Sequence, residues 1–222
     1  MNIKSFQVSK KKKKFFFKTF FLGVVESLKV ITEDASMRIA RYAFKYCTEH
    51  NRKKLSVIHK ANIMKLSDGL FLDCCQRVAT EFPDIQFDVV QLETCCLEMA
   101  RNPQKFDVMV TTNLYGDIVS DLAAGLIGGL GLTPSGNYGE QASLFEAVHG
   151  TAPDIEGMDL ANPTALLLSS VMLLKHVGKL DVATKIENSL KKVFDEKKAL
   201  TGDLGGNAKC SEFTNEVILN LH

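Results

Sequence analysis

Residues 113–137 read NLYGDIVSDLAAGLIGGLGLTPSGN, and the rest of the chain is organised around this stretch. Gly116 to Leu126 has helical patterning and runs out into glycines, which commonly end helices. Asp117 and Asp121 are four residues apart, so their carboxylates share one helix face, one turn apart. Two like charges at that spacing repel, and a hard divalent cation with oxygen ligands is one natural compensation. A solvated polar face is the commoner cause of such a pair, so spacing alone leaves both open. Gly128 to Gly139 reads as Gly-rich loop. Gly129-x-Gly131 is not a dinucleotide fingerprint, because position 134 is Pro and no strand-turn-helix frame precedes it.

Upstream, Val24 to Ile31 is apolar and β-branched, and Asp34-Ala35-Ser36 opens a helical stretch to about His50. Lys54 to His59 reads as a short strand. Asp68 to Thr80 reads as a helix with Phe71, Cys74 or Cys75, and Val78 on one face. Ile85, Phe87 and Val89 alternate as a strand does, and Phe106 to Val110 is a further apolar strand. Downstream, Phe145 to Val148 is short and apolar, and His149 to Asp159 is loop. Asn162-Pro163 is a helix start, a capping residue followed by Pro at the first helical position. Thr164 to His176 is apolar nearly all round, which predicts a buried core helix. Leu180, Ala183, Ile186, Leu190 and Phe194 make the next helix amphipathic, and Ser211 is expected to cap a final helix running to Leu221. Strands alternate with helices, so the fold class is α/β.

The chain has 222 residues, 45% hydrophobic and 24% charged, an ordinary globular composition. No apolar stretch reaches the roughly 18 uncharged residues of a membrane span. Net charge is +1, so nothing calls for a nucleic-acid partner. That charge is unevenly placed: residues 1–18 hold seven Lys and no acid, which leaves −6 on residues 19–222. The first 22 residues also hold six of the 14 Phe. Ser9 to Phe21 (SKKKKKFFFKTFF) fits an anionic membrane surface, a presequence poor in Arg and Ser, or translated low-complexity DNA, and residues 1–22 are set aside as atypical. The six cysteines include two adjacent pairs and show no zinc spacing, which points to reduced thiols in a core.

Three further places can carry chemistry. Lys60 follows a strand in HKANIM, where it can bind an anion, act in proton transfer or simply be a surface Lys. The loop His149-Gly150-Thr151-Ala152-Pro153-Asp154-Ile155 can bind a ligand through backbone amides, or be a plain turn. An Asp in a nucleotide site accepts hydrogen bonds from ribose hydroxyls and repels a 2′-phosphate.

Together with FEAVHGTAPDIEGMDLANPTALLLSSVMLL and TGDLGGNAKCSEF, the opening stretch closely resembles the β-decarboxylating dehydrogenases, the isocitrate/isopropylmalate dehydrogenase family. The resemblance covers about residues 23–222. It implies a two-domain α/β fold distinct from the dinucleotide-binding Rossmann fold. The small dimer-forming domain is expected at 23–128, and the C-terminal part of a truncated large NAD-binding domain at 129–222. HKANIM looks like the isocitrate enzymes, and Asp154-Ile155 resembles the NAD-using pattern. Asp117, Asp121 and the HGTAP loop resemble the catalytic type of subunit in the mitochondrial hetero-oligomers.

The implied activity is NAD-dependent oxidative decarboxylation of isocitrate to 2-oxoglutarate, a tricarboxylic acid cycle step in the mitochondrial matrix. An isopropylmalate- or homoisocitrate-type enzyme and a non-catalytic partner of full-length subunits are the alternatives. By the family pattern, Asp117 and Asp121 would bind Mg²⁺ or Mn²⁺, with Glu93 in place of a third, usually Asp, ligand. Lys60 would serve proton transfer and Asn62 would lie near substrate or nicotinamide, both reaching into a homologous subunit's site. His149, Gly150, Ala152, Asp154, Asn162 and Asp203 would line the adenosine part of NAD.

The family also carries a long portion ahead of the segment matching Gly23, with the Ser and Arg cluster that clamps isocitrate and the catalytic Tyr. Each charge-assisted hydrogen bond of that clamp is worth about 1.5–3 kcal/mol. The expectation is therefore that these 222 residues alone turn over poorly.

Overall fold

The computed structural model describes Gly23, Val25 and residues 27–221, so everything expected of residues 1–22 lies outside the described residues. The chain divides into two compact units, and the division falls between Gly116 and Asp117. The domain boundary expected from the family pattern lies further on, at 128–129.

The first unit is a three-stranded parallel sheet with helices packed on it. Residues 27–32 are irregular, and Leu28 is exposed. α1 (Glu33–Glu49) follows with Glu33 and Asp34 in its first turn, where acids complement the helix dipole. Its inward stripe is Ser36, Ala40, Ala43, Phe44 and Cys47, all buried. Next come β1 (Lys54–His59), α2 (Ser67–Ala79), β2 (Gln86–Gln91), α3 (Leu92–Arg101) and β3 (Val108–Thr111).

The strand order is β2-β1-β3, with β1 parallel to both neighbours. β1 is central and covered on both faces, which is why its sequence is a run rather than an alternation: Leu55, Val57 and Ile58 are all fully buried. α2 turns Phe71, Cys74, Cys75 and Val78 inward, as their spacing predicts. All six cysteines are free, and Cys47, Cys74, Cys75 and Cys95 are buried. Burial pushes the Cys75 and Cys95 thiols up to about 12, so both are inert at neutral pH.

The division falls within α4 (Asn113–Ile127). The second unit continues with a hairpin of β4 (Pro134–Tyr138) and β5 (Ser143–Ala147), antiparallel with Gly136 opposite Phe145. This corrects the expectation of loop over Gly128 to Gly139. Pro134 stands at the first strand position, where its missing N–H costs nothing. Gly136 is closely packed: a Cβ there would lie 3.0 Å from Met172 Cε and 3.2 Å from Phe145, so these side chains would have to give way. Pro and Gly suppress the local strand signal, and tertiary pairing restores the strand.

α5 (Thr164–His176) packs on both strands of the hairpin, and α6 (Leu180–Glu196) packs on α5. Ser169 ties α5 to the hairpin: its Oγ accepts the Ser135 N–H at 3.3 Å and lies 2.8 Å from the Glu146 carbonyl. α5 is not the fully buried helix its composition predicts. Ala165, Ser169, Val171 and Met172 are buried, but Leu166 is 57% exposed and Leu173 43%. Its neighbours among the described residues cover one side only.

α7 (Cys210–Leu219) closes the chain, with Phe213 and Val217 packed on Leu190 and Val193 of α6. Its start also differs from expectation. The Glu212 carboxylate accepts the Lys209 N–H at 2.7 Å, and Ser211 sits inside the first turn, donating its hydroxyl to Asp159 at 2.5 Å.

Candidate functional site

Lys60 is the first residue beyond β1, and Asn62 lies in the exposed turn that follows, closed by hydrogen bonds from the Ile63 and Met64 amides to the Lys60 carbonyl. Glu93 lies in the first turn of α3, just after β2. Because β1 and β2 are parallel neighbours in register, with His59 opposite Gln91, their C-terminal ends bring these residues together. The Lys60 ammonium lies 2.6 Å from the Glu93 carboxylate. That hydrogen bond, seconded by the Glu93 backbone amide, holds the Glu93 carboxyl below the usual range. The side of a parallel sheet at its strands' carboxyl ends is where α/β folds place ligands.

His59 ends β1 beside this pair. Its Nδ1 accepts the Ala61 N–H at 3.0 Å, so Nε2 carries the proton in the neutral ring. Burial lowers its pKa, against the opposing pull of Asp68 and Glu93.

Asp117 and Asp121 lie one turn apart on α4, both exposed. Among the described residues, no Lys or Arg pairs with either carboxylate. The unneutralised pair offers hard oxygen donors, the donor set that suits Mg²⁺ or Mn²⁺. No three His, Cys, Asp or Glu side chains among the described residues form a metal-holding cluster.

The remaining predicted residues lie in the second unit. His149, Gly150, Ala152 and Asp154 occupy the exposed connection from β5 to α5. Ala152 has φ +43°, a left-handed conformation that costs a non-Gly residue of order 1 kcal/mol or more and concentrates at ligand sites. Asn162 ends that connection and is buried. Its Oδ1 caps α5 by accepting the Thr164 N–H at 3.0 Å, with Pro163 already in helical backbone, as the Asn-Pro pair predicts.

The same Asn162 donates through Nδ2 to Asp203 at 2.9 Å, and the buried Thr201 hydroxyl donates to the other Asp203 oxygen at 2.5 Å. Asn162 and Asp203 are thus brought together from 41 residues apart. Gly131 backs this pair: a Cβ there would lie 3.2 Å from both Asn162 Cβ and Asp203 Oδ2. Gly131 and Thr201 escaped the sequence reading. Gly131 was dismissed with a fingerprint it does not belong to, and its value lies in contacts made far along the chain.

Asp68 was also missed. It is fully buried, and its carboxylate takes the Lys60 N–H at 2.9 Å and the Lys29 ammonium at 2.5 Å. Burial would push this carboxyl up, but hydrogen bonds from Lys29, the Lys60 amide and Tyr115 outweigh it and hold it below the usual range.

Comparisons with known proteins identify the family. The family model described as isocitrate/isopropylmalate dehydrogenase matches residues 8–217. A Drosophila melanogaster protein, named as a probable alpha subunit of mitochondrial NAD isocitrate dehydrogenase, is 62% identical over 199 residues, covering 90% of this chain and 53% of that protein. A Dictyostelium discoideum protein, named as a regulatory subunit of mitochondrial NAD isocitrate dehydrogenase, is 57% identical over 200 residues, covering 90% of this chain and 56% of its own length. The crystal structure of isocitrate dehydrogenase from Methylococcus capsulatus superposes with a TM-score of 0.89 at 44% identity, covering 93% of this chain and 62% of that one. The chain therefore spans about half the length of the curated relatives it matches. It belongs to the isocitrate/isopropylmalate dehydrogenase family.

Proposed function

We propose that this chain acts in the NAD-dependent oxidative decarboxylation of isocitrate to 2-oxoglutarate, as a catalytic-type member of an assembly of homologous subunits in the mitochondrial matrix. The observation that carries this is the exposed pair Asp117 and Asp121, one turn apart on α4 and with no Lys or Arg partner among the described residues. By the family pattern, regulatory subunits tend to carry Asn at these positions. The likeness to a relative named as regulatory makes that residue pair, rather than overall identity, the deciding feature.

A bound divalent cation would supply Lewis acidity at the substrate's hydroxyl and carboxylate oxygens, and NAD would accept the hydride. Asp117 and Asp121 would hold the cation with carboxylate oxygens. Lys60 would transfer the proton at Nζ, with its side chain aimed by the 2.6 Å contact with Glu93. Asn62, on the turn beside it, faces substrate or nicotinamide. In the second unit, His149, Gly150, Ala152, Asp154 and Asn162 would line the adenosine part of NAD, with Asp203 at the same end. Residues 149–162 contain Asp154, Glu156 and Asp159 and no Lys or Arg. Asp154 would repel a 2′-phosphate, which favours NAD over NADP.

The test is NAD reduction followed optically, with the chain supplied with Mg²⁺ and mixed with a homologous alpha-type subunit whose counterpart of Lys60 is replaced by Met. Isocitrate is expected to be oxidised at least tenfold faster than isopropylmalate, and with NAD at least tenfold better than with NADP. A preference for isopropylmalate or for NADP refutes the assignment.

A further inference from the structure

Asp68 is the one fully buried carboxylate among the described residues. It stands in the first turn of α2, and three segments converge on it. The Lys60 amide donates to Oδ2 at 2.9 Å from the end of β1. The Lys29 ammonium reaches Oδ1 at 2.5 Å from the irregular run before α1. The Tyr115 hydroxyl, from the first turn of α4, accepts from the same Lys29 ammonium at 3.5 Å. Lys29 also sits 4.6 Å from the centre of the Tyr115 ring, so cation, ring and carboxylate form a closed set.

A buried carboxylate is a costly way to fill space. Replacing a buried ion pair by apolar side chains of similar volume is often neutral or better for stability. What an apolar residue cannot do is accept a backbone N–H. The Lys60 amide lies at the point where β1 ends and a turn begins, and Asp68 is its acceptor across eight residues. The amide position sets where the Lys60 side chain starts, and the side chain ends in the 2.6 Å pair with Glu93.

We propose that Asp68 is a positioning residue for Lys60: it anchors the Lys60 backbone so that the ammonium is held at Glu93, with Lys29 and Tyr115 holding Asp68 itself. This rests on Lys60 being the proton-transfer group of the proposed reaction. Asp68 touches no reacting atom and acts through Lys60 alone.

The test reads Lys60 directly. The 222-residue chain is reductively methylated with ¹³C-formaldehyde, which keeps lysine charged, and the Lys60 methyl resonance is assigned by its loss in Lys60→Arg. Glu93→Gln gives the position of the unpaired side chain. In Asp68→Ala the Lys60 resonance is expected to move to that unpaired position, and the Lys60 amide to exchange at least tenfold faster, while the amide signals of α1 and β3 stay in place. A role in stability alone would leave the Lys60 resonance of the folded chain unmoved, and that result overturns the proposal. Should Asp68→Ala not fold, Tyr115→Phe takes its place, since it removes the hydroxyl that steadies Lys29 against Asp68 without opening a large hole. Lys60 amide exchange at least threefold faster then supports the proposal, and unchanged exchange overturns it. A moved Lys60 resonance in a chain that gives no isocitrate turnover in any assembly refutes the catalytic role of Lys60 and leaves the anchoring intact. Turnover that requires Lys60, with a resonance indifferent to Asp68, refutes only the anchoring.

Discussion

Gly206→Ala should be among the most damaging small substitutions in the second unit. An added Cβ would fall inside the contact distance of the Leu200 carbonyl oxygen, and 2.5 Å from the carbonyl carbon. The obstacle is backbone, so no side-chain rotation relieves it. The loop must open, and two hydrogen bonds close it: Gly206 N–H to the Thr201 carbonyl at 3.0 Å and Ala208 N–H to the Leu200 carbonyl at 2.9 Å. Losing both costs about 1–3 kcal/mol at a net 0.5–1.5 each, and overpacking strain adds about 1–3 more. The expected loss is thus roughly 2–6 kcal/mol. Gly202→Ala in the same loop is the control, since nothing lies within 4 Å of its Cβ and its φ is not left-handed. Urea unfolding followed by circular dichroism reads both. Gly206→Ala should lower the midpoint sharply at an unchanged slope, with Gly202→Ala near wild type. The same variant should weaken NAD binding, because the loop carries Thr201 and Asp203. A Gly206→Ala chain within about 0.5 kcal/mol of wild type would refute the packing argument.

Other outcomes follow from the same geometry. Asp117→Asn or Asp121→Asn should weaken Mn²⁺ binding by roughly tenfold or more in titration calorimetry, and equal affinity in both variants would remove these residues from the metal site. Phe213→Ala should cost about 3–5 kcal/mol in urea unfolding, since the ring is fully buried against Leu190 and Val193, and a loss below 1 would show that α7 is not packed there. For His59 the folded pKa lies below the unfolded one because of burial, so the unfolded chain binds the proton more readily. Its contribution to stability is complete above about pH 6.5 and is lost as pH falls below that. His59→Gln should flatten this slope in unfolding curves at pH 7.5 and 5.5, and an identical slope would sink the assignment.

Most of the fold was legible because the elements carry their own period. The inward stripes of α1 and α2 and the apolar run of β1 follow from local spacing. β4 was not legible, because Pro134 and Gly136 mask a strand whose reason is the contact with Phe145 and Met172. The exposed side of α5 was hidden as well: an all-apolar helix says nothing of how many neighbours it has. In the candidate site, Lys60 and Asp117 with Asp121 were visible through motif and spacing. The Lys60–Glu93 pair and the Asn162–Asp203 pair depend on register and on contacts 33 and 41 residues apart in sequence, which no local pattern encodes. Asp68 looked like an ordinary helix-start acid, and only its burial reveals otherwise.

The most direct measurement of the central claim supplies Lys60 in trans. A full-length alpha-type homologous subunit, with its counterpart of Lys60 replaced by Met, is mixed with this chain and assayed for isocitrate-dependent NAD reduction in Mg²⁺. If this chain gives Lys60 to a neighbour's site, activity returns in the mixture and disappears when the chain carries Lys60→Met. A mixed oligomer seen by size exclusion with no recovered activity would contradict the account.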